Sequence, residues 1–180
     1  MRLFVVIDLG HDVRNYLYDL EKSIGNNLAK VKWVAKKNLH LTLKFLGEIS
    51  DERVEDVKER LRRINASRFK LKLNGIGVFP NENIIRVVWI GLKPEDKIRE
   101  LQRKVDEETL DISKEAMEFV GHLTIGRIKA VKNKEAFLKR IKELDIKEIE
   151  FKVDDFKLFK STLSKDGPKY ELLDNYDLVT

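Results

Sequence analysis

The chain contains no cysteine. That absence excludes disulfides, Cys-based zinc sites, iron–sulfur ligation and a thiol nucleophile. No apolar run approaches the roughly 18 residues a membrane-spanning helix needs. The opening stretch MRLFVVIDLG is interrupted by Asp8, and no small-residue cleavage pattern follows it. It therefore reads as a strand rather than a secretory signal. The expectation is a cytoplasmic, monomeric chain with no membrane partner. Proline is scarce, at three residues, and no Pro/Gly/Ser linker or low-complexity tract divides the 180 residues. That length suits one domain, residues 1–180, or two small lobes sharing one core.

What is abundant is charge, at 37%, beside 42% hydrophobic residues. A chain this apolar can bury a core, so whole-chain disorder is excluded. Thirty-six basic residues against 31 acidic ones leave a formal charge of +5. The excess fits either a surface rich in solvated ion pairs or an electropositive cleft for a polyanion such as RNA. Lys, Glu and Arg are frequent and Gln102 is the only glutamine, a bias shared with proteins from thermophiles.

Periodicity gives the elements. Residues 2–9 are rich in apolar and β-branched residues and predict a strand. Val13, Leu17, Leu20, Ile24 and Leu28 follow helical spacing. Residues 31–35 and 39–46 predict two further strands. Asp51 is a candidate N-cap for a helix carrying Val54, Val57, Leu61 and Ile64. Residues 68–78 alternate as a half-buried strand. The order then recurs: a strand at 84–92, a helix opened by Pro94, a strand at 118–128, and a helix at 133–144. Ile149, Phe151 and Val153 alternate, Asp154-Asp155 shifts the phase, and Phe156 and Leu158 resume; such a shift predicts a bulge. SKDGP (164–168) predicts a turn before a last strand with Tyr170 and Leu172.

The recurrence can be counted. Leu9 lies 31 residues before His40, and Leu92 lies 30 before His122. Asp51 follows His40 by 11 residues, and Asn133 follows His122 by 11. Halves 1–83 and 84–180 therefore form an approximate repeat. The expected fold class is α+β. It has two pseudo-symmetric lobes, each an antiparallel-type sheet with two helices, facing across a central cleft.

The repeat carries chemistry. His40-Leu41-Thr42 and His122-Leu123-Thr124 are the same tripeptide at equivalent stations, in a chain with three histidines and five threonines. Residues two apart on a strand share a face. Leu39, Leu41, Leu43 and Phe45 are expected to enter the core, and His40, Thr42 and Lys44 to face the other way. In the second strand Leu123 and Ile125 point inward, and His122 and Thr124 outward. Two imidazoles flanking one anionic centre suit general acid–base catalysis near neutral pH, one accepting and one donating a proton. The threonine hydroxyls can hydrogen-bond phosphate oxygens. No H-x-x-x-H is present and no acid lies within three residues of His122, so the pattern predicts no metal. Strict alternation turns Arg127 toward the core, but a bend at Gly126 would swing it into the cleft as an anion clamp. Phe4, Trp33, Trp89 and Tyr170 are read as core aromatics, with base stacking the alternative. His11 is read as bordering the first helix.

The segments RLFVVIDL, NLHLTLKFLG, RVVWIGL and HLTIGR resemble the 2H phosphoesterase superfamily. Within it they resemble the LigT-like RNA 2′,3′-cyclic phosphodiesterases, also called 2′-5′ RNA ligases. The similarity covers nearly the whole chain. It implies hydrolysis of RNA 2′,3′-cyclic phosphate ends to 2′-phosphates without metal or other cofactor, reversible as 2′-5′ joining of tRNA halves. It implies His40 as proton donor, His122 as acceptor, and Thr42, Thr124 and Arg127 as phosphate ligands. Two alternatives remain open: a phosphodiesterase for small cyclic phosphates such as ADP-ribose cyclic phosphate, and a non-catalytic RNA-binding module.

Overall fold

The computed structural model describes residues 1–113 and 119–180. Chain order is β1 (Arg2–Asp8), α1 (His11–Ile24), β2 (Ala29–Trp33), β3 (His40–Glu48), α2 (Val54–Arg62), β4 (Phe69–Pro80), β5 (Ile85–Lys93), α3 (Glu95–Thr109), β6 (His122–Val131), α4 (Lys134–Glu143), β7 (Glu150–Val153), β8 (Asp155–Ser164) and β9 (Gly167–Asp177). One-turn 3-10 helices at Lys36–Asn38 and Asp51–Arg53 precede β3 and α2.

The strands form two antiparallel sheets, ordered β3-β1-β8-β9 and β2-β6-β5-β4-β7. Each sheet carries two helices: α3 packs on β3 and α2 on α3 and β9, while α1 packs on β6 and α4 on β4. The apolar stripe predicted for α1 is the face it buries, with Val13, Leu17, Leu20 and Ile24 inward. The sheets meet where β3 lies against β6, so the two histidine strands adjoin. The buried side chains of both sheets form one core cluster. Strands of the two sequence halves are mixed: β2 and β4 share a sheet with β5 and β6, while β8 and β9 return to β1 and β3.

Several elements differ from the sequence reading. Asp51 is not the cap of α2. It opens a separate 3-10 turn, and Arg53 occupies the cap position. Pro94 sits one residue outside α3 rather than in its first turn. The strand read at 118–128 runs from His122 to Val131; Glu118 lies outside the described residues. The phase shift at Asp154 is not a bulge within one strand. Val153 ends β7 beside Phe69 of β4, and β8 begins at Asp155 beside β9 in the other sheet. The alternation breaks because the chain changes sheets. Asn133 does cap α4, its side-chain oxygen accepting from the Ala136 N–H at 3.0 Å. Among the described residues no helix is long and apolar enough to cross a membrane.

Candidate active site

His40 and His122 are the first residues of β3 and β6, and both are half-buried. Their ring nitrogens are fixed in the same way. His40 Nδ1 lies 2.5 Å from the Asn38 carbonyl oxygen, and His122 Nδ1 lies 2.7 Å from that of Val120. A carbonyl only accepts, so each Nδ1 carries the hydrogen and each Nε2 is left for chemistry. His40 Nε2 is 2.9 Å from Thr42 Oγ1, so the threonine hydroxyl donates to it when the ring is neutral. Leu41 and Leu123 are fully buried between the paired positions, as strand alternation requires.

Beyond the threonines the alternation breaks, at the same station in both strands. On β3, Val6 pairs with Thr42 and Val5 with Lys44, which leaves Leu43 as an extra residue. On β6, Trp89 pairs with Thr124 and Val88 with Gly126, which leaves Ile125 as the extra one. A bulge of this kind reverses the facing of everything after it. Lys44 is consequently not beside His40 and Thr42 as strict alternation predicts. It is fully buried, and its Nζ donates to Asp106 Oδ1 of α3 at 2.6 Å. Phe45 is correspondingly not a core residue; it is 62% exposed and stacks on Phe4, centroids 6.0 Å apart. Arg127 occupies the station of Phe45 in the second strand and is exposed. Its charge acts on both His122 and Tyr170. Gly126 has a packing reason of its own. A Cβ there would approach Val31 Cγ1 to 2.6 Å and the Trp33 ring to 2.7 Å.

Each imidazole is walled by aromatic rings. Phe4 and Tyr170 both lie 5.3 Å from His40, centroid to centroid. Phe79 lies 4.8 Å from His122 and Trp89 6.4 Å. Phe4, Trp89 and Tyr170 are thus not core aromatics alone; they line the histidine faces. Trp33 packs partly buried against the core, as expected. His11 opens α1, after Gly10 at the cap position. Sequence reasoning missed Phe79 and Asn38. Both are placed by strand pairing and a one-turn helix, and neither has a local signature. It also missed Asp8, which pairs with His40 across β1–β3 and forms ion pairs with Arg14 and Lys157.

Burial pushes both imidazoles below the ordinary histidine value of 6.5. For His40 the Asn38 hydrogen bond and the Asp8 charge oppose that shift, while Arg14 adds to it. For His122 the Val120 hydrogen bond opposes it and Arg127 adds to it. Each site thus has a guanidinium that disfavours the imidazole's proton, Arg14 at His40 and Arg127 at His122, and His40 alone has a carboxylate that favours it. Among the described residues no group of three His, Asp or Glu side chains is placed to hold a metal ion.

The family LigT like Phosphoesterase matches this chain twice, over residues 7–89 and 90–170. A protein of Methanocaldococcus jannaschii named RNA 2′,3′-cyclic phosphodiesterase is 37% identical over 96% of this chain and 98% of its own length. A protein of the same name from Thermotoga maritima is 33% identical over 96% of this chain and 93% of its own. Among solved structures, TT0787 of Thermus thermophilus superposes with TM-score 0.78 at 28% identity, covering 98% of this chain and 97% of that one. Escherichia coli LigT complexed with 3′-AMP superposes with TM-score 0.79 at 25% identity, covering 99% and 98%. The doubled match follows the doubled His-x-Thr stations, and the chain belongs to the LigT-like phosphoesterase family.

Proposed function

We propose that this protein hydrolyses 2′,3′-cyclic phosphate ends of RNA to 2′-phosphates, by acid–base catalysis at His40 and His122 and without a metal. It would act as a cytoplasmic monomer built as one bilobal unit over residues 1–180. The observation that carries the reading is the pair of His-x-Thr stations on adjoining strands, each with Nδ1 bound to a backbone carbonyl, which leaves Nε2 as the atom that can exchange a proton. The names of the curated relatives supply the substrate class.

The steps balance without a co-reactant. His122 Nε2 takes a proton from water as the water oxygen bonds phosphorus. The P–O3′ bond breaks, and His40 Nε2 delivers its proton to O3′. This division of roles is the one the family resemblance implies, and the Asp8 carboxylate, which has no counterpart at His122, favours the proton on His40. Thr42, Thr124 and Arg127 hold the phosphate oxygens, the arginine as the charged ligand. With a 5′-hydroxyl in place of water as the nucleophile, the same steps join RNA ends through a 2′-5′ linkage, and their reversal cleaves that linkage back to the cyclic phosphate.

A short RNA ending in a 2′,3′-cyclic phosphate, incubated with the protein and EDTA, tests this. The expected product is a 2′-phosphate that resists a 3′-specific phosphatase, with the rate abolished by His122→Ala. A 3′-phosphate product, or equal rates for wild type and His122→Ala, would overturn the proposal.

A further inference from the structure

A cavity of about 450 Å³ opens beside His40, which is one of its lining residues. Asp8, Arg14, Lys37, Asn38, Lys169 and Tyr170 are among its lining residues. Its single carboxylate is already engaged, because Asp8 forms ion pairs with both Arg14 and Lys157. Arg14 is engaged too: it also donates through Nε to the Leu39 carbonyl at 3.4 Å. Lys36, next to Lys37, lies over the Tyr18 ring. Lys37 and Lys169 are different. Both are exposed, and among the described residues neither has a carboxylate within 4.0 Å.

These two lysines belong to segments that are tied together. Buried Asn38 donates from its side-chain amide to the Pro168 carbonyl at 3.2 Å, joining the turn that carries Lys37 to the β8–β9 hairpin that carries Lys169. The backbone carbonyl of the same asparagine holds His40 Nδ1. One residue therefore fixes both the imidazole and the spacing of two unpaired cations on the rim beside it.

The chemistry says which part of a substrate lies there. Both ester oxygens of a 2′,3′-cyclic phosphate belong to the terminal ribose. The group that protonates O3′ stands on the ribose side of phosphorus, and the attacking water on the other. The cavity beside His40 thus lies on the side from which the rest of the RNA chain leaves, and its rim meets a phosphodiester before anything else charged.

We propose that Lys37 and Lys169 form a subsite for the phosphodiester that precedes the terminal nucleotide, so that RNA ends of two or more nucleotides are preferred over a mononucleoside cyclic phosphate. The subsite rests on the reading of His40 as the proton donor in a cyclic phosphodiesterase. Contact with one phosphate by two lysines raises kcat/KM about tenfold. It also steepens the salt dependence by about 0.7 in log–log slope, the value for one phosphate on a single strand.

The test compares three substrates: adenosine 2′,3′-cyclic phosphate, the ApA dinucleotide with the same end, and that dinucleotide with an uncharged methylphosphonate linkage. For the wild type, kcat/KM on the native dinucleotide is expected about tenfold above the other two. In Lys37→Ala/Lys169→Ala the dinucleotide falls to the mononucleoside value, while the mononucleoside rate, which also reports intact folding, stays within about twofold. Equal rates on the charged and uncharged dinucleotides, or an advantage that survives the double substitution, overturns the subsite. Wild-type protein that turns over none of the three overturns the phosphodiesterase reading itself.

Discussion

Replacing Glu21 with glutamine should stabilise this protein, and by an amount that grows with pH. Glu21 lies on the inward face of α1 and is 3% exposed. Its Oε1 has no hydrogen-bond partner among the described residues. Burial alone pushes its carboxyl from 4.5 up to about 8. The unfolded chain has no such burial, so its carboxyl ionises near the ordinary value. Between pH 4.5 and about 8 the unfolded state has lost a proton that the folded state keeps. Each pH unit of that window costs the folded state about 1.4 kcal/mol. At pH 7 the loss comes to about 3 kcal/mol, and it levels off above the folded pKa. The sign follows from the raised value: any contribution from this group is fully present at low pH and is lost as pH rises. Glutamine keeps the shape and cannot ionise, so it removes the pH-dependent part. Urea unfolding of wild type and Glu21→Gln at several pH values between 4.5 and 9 reads the difference directly. The two curves should nearly meet at the acid end and diverge steadily to about pH 8. Parallel curves across that range would refute the reasoning, because they would show the carboxyl titrating alike in both states.

Four further outcomes follow from the bulges and the imidazoles. Asp106→Asn should destabilise by ~3 kcal/mol in urea unfolding, since it strips the anion from a fully buried Lys44, whereas Lys44→Met should fall within about 1 kcal/mol of wild type; equal losses would argue against a buried ion pair. Gly126→Ala should lose both stability, by about 1–3 kcal/mol, and activity, because the new Cβ must displace Val31 and Trp33 beside the strand that carries Arg127; full activity would sink that account. Proton NMR of the free protein should show His40 and His122 titrating below 6.5, with inorganic phosphate raising both, since an anion favours the charged ring that burial disfavours. In kinetics the alkaline limb of kcat/KM, which reports the free protein, should therefore lie at lower pH than that of kcat.

The helices and the pairing of chemistry with a strand face were legible in the residues, because both depend on local spacing. Val13, Leu17, Leu20 and Ile24 can satisfy only one helical face, and a histidine two residues from a threonine shares its side wherever the strand stays regular. What escaped was set by partners distant in sequence. Nothing near Leu43 or Ile125 signals an extra residue; the bulges exist because β1 and β5 pair with β3 and β6 in registers that skip them. That skip decides whether Lys44, Phe45 and Arg127 face the core or the cleft. For Arg127 the expectation invoked a bend at Gly126, whereas the residue left unpaired ahead of it is Ile125, and Arg127 is exposed. The break at Asp154 was visible as a phase shift, but the sequence has no mark that distinguishes a kink from a departure to another sheet.

That departure is one of four. The chain passes from one sheet to the other between β1 and β2, between β2 and β3, between β3 and β4, and between β7 and β8. Four covalent tethers join the walls of the cleft, where a two-domain hinge protein has one or two. A rigid-body opening would have to move all four at once. The same lacing makes the two halves of the repeat mutually dependent. A chain cut between β4 and β5 leaves β1 and β3 without β8 on one fragment and β5 and β6 without β4 on the other. Each fragment lacks what the other holds, so the only way for either to complete a sheet is to fold around its partner.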